Sequence, residues 1–167
     1  MNFSTAFDYV ILKEGGYSDD PLDRGGKTKF GISQAAYPSL NVAEITLAQA
    51  KNIYHKDYWE VIKADRLPPP IAFVLFDMAV NQGAGAAALA LQEAAGVLQD
   101  AKIGPITIEA VSTEFKRDAA GFLLSLVTIR ARRYLSINNA SEERFEFGWI
   151  ARLLATYSIA MSEVYRK

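Results

Sequence analysis

The sequence predicts a mostly α-helical fold with one small, irregular β-hairpin region after the first helix. Three observations predict it. Apolar residues recur at helical spacing through most of the 167 residues. Glycine- and aspartate-rich turn chemistry is concentrated in one early stretch, residues 15–33. Finally, half of the residues are hydrophobic, which supplies a core and excludes a disordered chain.

Phe3, Phe7, Val10, Ile11 and Glu14 lie on one face of a first helix that Ser4 or Thr5 can cap and Gly15-Gly16 stops. In the stretch that follows, Asp19-Asp20-Pro21 and Gly25-Gly26 mark turns, with Tyr17, Phe30 and Ile32 as short extended pieces. Thr46 and Gln49 form a capping box for a helix over 47–62 that carries Ala50, Ile53, Tyr54 and Tyr58 inward. Pro68-Pro69-Pro70 stops it, and Pro70 opens a helix over 71–82. An alanine-rich helix over 86–95 ends at Gly96, and Gly104-Pro105 starts a short one. A long helix over about 115–135, ended by Asn138-Asn139, and a last one over 142–165 capped by Ser141 complete the prediction. No repeat, low-complexity tract or linker interrupts the chain.

Composition narrows the chemistry. A formal net charge of -1 argues against nucleic acid as the main ligand, since phosphate binding calls for a basic excess. Without cysteine there is neither a disulfide nor a thiolate metal site. The single histidine, His55, removes multi-histidine metal sites and reads as a solvated surface residue. Acid–base work falls to carboxylates, and no metal or other cofactor is expected. The opening MNFSTAFDYVILKEGG does not read as a cleavable signal, because Asp8 interrupts its apolar stretch. The longest apolar run, residues 71–80, is broken by Asp77 and falls short of the ~20 residues that span a bilayer.

The informative segment runs from Glu14 to Ser33. A carboxylate in the last turn of an amphipathic helix is followed by a glycine-rich loop with three aspartates and then a hydroxyl, Thr28. Glycosidic hydrolysis needs one carboxyl kept protonated and a second group that steadies the transition state or aligns water. A helix C-terminus and an apolar flank both disfavour ionisation of Glu14, while aspartates in a polar loop stay charged. The local pattern also fits a blander arrangement, in which Glu14 is a helix-end surface residue and the aspartates merely form turns.

Glu14-Gly15-Gly16-Tyr17, Asp20-Pro21, Asp23 and the Gly25–Ile32 run resemble the signature of glycoside hydrolase family 108, lysozyme-like enzymes of phages and bacteria that cleave peptidoglycan. The resemblance continues through Tyr58-Trp59, the stretch from Phe76 to Gly83, Ile103–Thr107 and Gly148-Trp149, and so covers most of the chain. It departs at Asp100-Ala101, where the family usually has Asp-Gly.

The resemblance implies a lysozyme-like catalytic region over 1–90 and a helical peptidoglycan-binding-like region over 91–167, packed together as one unit. It implies an N-acetylmuramidase that hydrolyses the β-1,4 bond between N-acetylmuramic acid and N-acetylglucosamine. A lytic transglycosylase and a non-catalytic peptidoglycan-binding module are the alternatives. Glu14 would be the general acid. Phage-type lysozymes pair such a glutamate with an aspartate after eight intervening residues, which Asp23 matches, and a threonine shortly after. Thr28 follows Asp23 after four intervening residues where many have five, and Asp19 and Asp20 compete for the role of second carboxylate.

Asp20, Tyr58, Trp59, Asn81, Gln82 and Trp149 are the candidate substrate-binding residues, although Asn81 also suits a helix end and the aromatic residues also suit a core. Asp77 reads as structural, bonded to backbone or to an arginine inside the core, and Arg130, Arg132 and Arg133 as a charged helix face. The expected partner is peptidoglycan, with neither nucleic acid nor stable membrane insertion. The expected setting is a monomeric phage endolysin, made in the host cytoplasm and reaching the wall after holin-type release.

Overall fold

A computed structural model describes residues 1–19, 26–136 and 143–166, with the backbone alone at 143–146. Asp20, Asp23, the Asn138-Asn139 stop and the Ser141 cap lie outside the described residues. The chain divides into two compact units, Phe3–Asp57 and Met1–Asn2 with Tyr58–Lys167.

In the first unit, α1 (Phe3–Glu14) buries Ala6, Phe7 and Val10, the apolar positions of one helical face. The predicted hairpin region is a three-stranded antiparallel sheet of two-residue strands, β1 (Tyr17–Ser18), β2 (Thr28–Lys29) and β3 (Ile32–Ser33). Thr28 sits opposite Ser18 on one side and Ser33 on the other. Strands this short cannot stand alone, and side chains hold the turns around them. The Gln34 amide donates to the carbonyls of Tyr37 (3.1 Å) and Leu40 (2.6 Å) and accepts from the Val42 N–H (3.3 Å). Next, α2 (Leu47–Tyr54) opens with the predicted reciprocal capping box between Thr46 and Gln49. Its last residue, Tyr54, is buried with its ring edge-on to Phe7 at 5.5 Å.

The predicted helix over 47–62 does not continue as an α-helix. After Tyr54 the chain forms a π-helical turn over His55–Trp59, in which it passes from one unit to the other. The i→i+5 closure adds a residue to the turn. Trp59 rather than Tyr58 is the side chain that is buried.

The second unit is built around α3 (Pro69–Gln82), with prolines at its first two positions, where the N–H groups would have no helical partner. Every residue from Pro70 to Ala79 is buried, so this helix is enclosed on all sides. It packs against α4 (Ala84–Ala94), α6 (Ala119–Leu135) and α7 (Glu143–Val164), while α5 (Pro105–Arg117) lies on α6 and α4. The helix opened by Pro105 is 13 residues long rather than short.

The predicted single helix over 115–135 is two. Asp118 leaves helical geometry (φ -154°, ψ 87°), and its carboxylate accepts from the Gly121 N–H at 2.8 Å, which caps α6. A continuous apolar pattern masked this break.

Between α4 and α5 the chain is organised by Gln92, which is almost fully buried. Its carbonyl accepts from the N–H groups of Asp100 (3.1 Å) and Ala101 (2.9 Å), and its amide donates to the Asp100 carboxylate (2.7 Å). These bonds, and the Lys102 N–H, hold the Asp100 carboxylate below the usual range. Ala101 is thereby held at φ 61°, a left-handed conformation that costs an L-residue about 1–2 kcal/mol. Here the family pattern has glycine. Ala101→Gly should therefore raise stability by about 1 kcal/mol, read as a higher midpoint in urea denaturation with an unchanged slope.

Candidate functional site

Glu14 ends α1 and is half-buried. What fixes its surroundings is the tip of the β2–β3 hairpin. Phe30 (φ 54°) and Gly31 (φ 74°) form its two-residue loop, both left-handed, as the right-handed twist of paired strands demands. The Tyr54 hydroxyl donates to the Phe30 carbonyl at 2.9 Å and clamps the tip. A Cβ at position 31 would come within 2.5 Å of the Tyr54 hydroxyl oxygen and 2.9 Å of the Glu14 Cβ. Gly31 is thus required twice, for its backbone angle and for the closeness of Glu14 and Tyr54. Loop, glutamate and tyrosine form one packed cluster drawn from three separate elements of the first unit.

Thr28 lies in the middle strand, half-buried, its hydroxyl donating to the Gly26 carbonyl at 3.3 Å. Asp19 pairs loosely with Lys27 at 3.9 Å and accepts from the Tyr17 hydroxyl at 3.2 Å, all on an exposed surface. His55 is half-buried rather than a solvated surface residue, its ring edge-on to Phe3 at 4.6 Å. Among the described residues no group of three His, Asp or Glu is placed to hold a metal ion, and no helix is long and apolar enough to cross a membrane.

In the second unit the sequence candidates separate. Trp59 is only 3% exposed, edge-on to Phe76 at 5.4 Å, and its indole N–H donates to Asp65 at 2.8 Å. Those are the contacts of a core residue. Tyr58 is half-buried. By contrast Asn81, Gln82 and Trp149 line one pocket of about 230 Å³ together with Arg133, Tyr134 and Ser136. Trp149 stacks on Tyr134 with centroids 5.3 Å apart and planes 12° from parallel. Both polar atoms of the Gln82 amide are buried and have no hydrogen-bond partner. Leaving a buried polar group unpaired costs roughly 1–3 kcal/mol, which a ligand's polar groups would recover. Asn81 does not act as a helix cap, because the C-cap position belongs to Gly83.

Beside Tyr134 lies a charged cluster centred on two fully buried side chains. Asp77 and Arg130 are both fully buried and paired at 2.6 Å, and Arg152 adds a bond to the other Asp77 oxygen at 2.8 Å. The structural reading of Asp77 holds. Arg130 does not belong to a charged outer face, since three arginines within four positions of a helix cannot all point the same way. Arg132 takes the solvent side and pairs with Glu93 at 2.5 Å. Arg133 reaches the pocket and has no carboxylate partner among the described residues. Tyr134, which the sequence did not single out, completes the site. Its spacing from Arg130, four residues along one helix face, was the available signal.

The family description Glycosyl hydrolase 108 matches residues 7–83, and that of a Predicted Peptidoglycan domain matches residues 86–154. The solved structure of Brucella abortus SagA is similar to the chain along nearly its whole length, at 31% identity and a TM-score of 0.83, covering 99% of this chain and 97% of that one. No curated protein matches it. The junction of the two family spans falls at the α3–α4 turn, inside the second unit, and the pocket takes Asn81 and Gln82 from the first span and Arg133, Tyr134 and Trp149 from the second.

Two predictions follow from this geometry. Gly31→Ala should destabilise the fold by more than about 1 kcal/mol, seen in the denaturation midpoint, because strain and overlap add. Burial pushes the Tyr134 phenol above its ordinary pKa of 10.0. The unfolded chain then loses this proton first as pH rises, so stability is retained below about pH 10 and declines above it. Tyr134→Phe should remove one phenol that titrates above the ordinary range from the ultraviolet ionisation curve.

Proposed function

The chain belongs to the glycosyl hydrolase 108 family, and from that premise we propose that it is an N-acetylmuramidase acting on peptidoglycan. The observation that carries the reading is Glu14 itself. Among the described residues of the matched segment it is the carboxylate held at a helix end against the hairpin tip, where Gly31 lies close to both it and Tyr54. A positioned acid is what glycosidic cleavage needs first. The match to a peptidoglycan domain over 86–154 supports the bacterial wall as the polymer.

In the mechanism we propose, protonated Glu14 gives its proton to the oxygen bridging N-acetylmuramic acid and N-acetylglucosamine as that C–O bond breaks. Positive charge develops on the muramic ring. Water adds to the anomeric carbon and surrenders a proton to the second carboxylate, for which the family pattern offers Asp23, with Thr28 orienting the water. The product is a reducing muramic end. In the second unit, the Trp149–Tyr134 stack offers an aromatic surface to the C–H groups of a sugar, and Asn81 and Gln82 offer amides to its polar substituents. An enzyme of this kind, brought to the wall in the manner of a phage endolysin, is bacteriolytic.

Glu14→Gln should fold normally by circular dichroism and lose at least about 100-fold in the rate of clearing outer-membrane-stripped Gram-negative cells. A variant that clears them at the wild-type rate overturns the assignment. Mass spectrometry of wild-type products should find reducing muramic ends; anhydromuramic ends would instead make the chain a lytic transglycosylase.

A further inference from the structure

The Tyr134 hydroxyl has one proton to give and two neighbours. Arg130 can only donate, and its Nη2 reaches the phenolic oxygen at 2.9 Å. The proton of that hydroxyl therefore goes to its other neighbour, Asn81 Oδ1, at 2.5 Å. This settles which way the Asn81 amide faces: its carbonyl turns to Tyr134, and its two N–H groups lie on the other side of the amide. The donor chain cannot run backwards, because Arg130 is itself anchored by Asp77 at 2.6 Å and both are 0% exposed. Asp77 is fixed in turn by Arg152 at 2.8 Å and Thr156 at 3.4 Å, and the Tyr134 ring is fixed by its stack on Trp149.

We infer that Tyr134, held by the buried Asp77–Arg130 pair, is a positioning and specificity-determining residue that presents Asn81 to the pocket as a hydrogen-bond donor, so that the pocket selects a ligand bearing an acyl-amide oxygen over one bearing an ammonium. Arg133 on the same wall, a cation without a carboxylate partner among the described residues, acts in the same direction. Gln82 contributes an unpaired amide nitrogen and an unpaired carbonyl oxygen, which match the carbonyl and N–H of a secondary amide. An N-acetylated amino sugar supplies that pair, whereas its de-N-acetylated counterpart carries a protonated amine with no carbonyl. The inference rests on the reading of this pocket as a sugar site.

The test compares wild type with Tyr134→Phe, which keeps the ring stack and loses only the hydroxyl. Calorimetric titration with N-acetylchitotriose and with fully de-N-acetylated chitotriose gives a selectivity ratio, and hydrolysis of N-acetylated and chemically de-N-acetylated walls gives kcat and KM. Wild type should favour the acetylated ligand by about tenfold or more. In Tyr134→Phe the freed Asn81 amide can turn over, so the ratio should collapse toward one, with KM rising and kcat nearly unchanged on acetylated wall. Asn81→Asp, which offers only acceptors, should reverse the preference, and this decides the matter if Tyr134→Phe fails to fold. A folded Tyr134→Phe with the wild-type ratio, or an Asn81→Asp that still prefers the acetylated ligand, overturns the inference. Wild type that binds with the stated preference but leaves walls uncut would instead overturn the muramidase reading and leave this one standing.

Discussion

The second unit depends on a carboxylate placed where a carboxylate is most expensive. Asp77 occupies the middle of α3, a helix enclosed by apolar residues on all sides, and its charge survives only because Arg130 of α6 and Arg152 of α7 converge on it. Bringing such ions out of water costs several kcal/mol each, so the pair adds little net stability over an apolar core. Its contribution is geometric. Removing Asp77 would leave two guanidinium groups without their anion, and the carboxylate thereby locks the three helices in one register. From that register the Tyr134 hydroxyl and the Asn81 amide inherit their orientation. A polar pocket is thus fixed by a polar core, and the two cannot be altered independently.

The first unit solves a similar problem with a backbone constraint in place of buried charge. Its strands are two residues long and contribute little by themselves. Order comes from the hairpin tip, where a left-handed phenylalanine and a glycine without a Cβ let Tyr54 and Glu14 approach. The hydroxyl bond from Tyr54 to Phe30 ties that tip to α2. Glu14, at the end of α1, is thereby given neighbours outside its own helix.

Much of this was legible in the residues. The amphipathic face of α1, the capping box at Thr46, the proline start of α3 and the turn-rich stretch after Glu14 are local rules, and local rules were obeyed. Asn81, Gln82 and Trp149 could be singled out by resemblance, and the structure gathers them around one pocket. The misreadings share a cause: tertiary context overrode a correct local pattern. Phe115 and the residues after it keep helical spacing, yet Asp118 caps a new helix because its carboxylate is better used on the Gly121 N–H than on solvent. Arg130 sits in a run of arginines that reads as a solvated face, and only the distant Asp77 explains its burial. Trp59 is aromatic and adjacent to Tyr58, but the π-helical turn carries it inward. Asp20 and Asp23 lie outside the described residues, and their part stays with the family pattern.

The two unpaired atoms of Gln82 bear on why the pocket has the composition it has. A glutamine whose amide is buried without partners is a worse choice for stability than a leucine or methionine of similar size, which would fill the space without any hydrogen-bond debt. Earlier along α3 no such penalty is found: Val80 and Ala79 are apolar, and Asp77 is paired with Arg130 and Arg152. Nε and Nη1 of Arg130 and Nη2 of Arg152 are also buried without a hydrogen-bond partner, but on guanidinium groups already paired with Asp77; along α3 the penalty falls in the last turn, where the side chains line the pocket. Packing alone gives no reason for that confinement. The sugar site proposed above does, because unpaired amides beside a stacked aromatic pair are what a ligand with its own donors, acceptors and apolar face would satisfy.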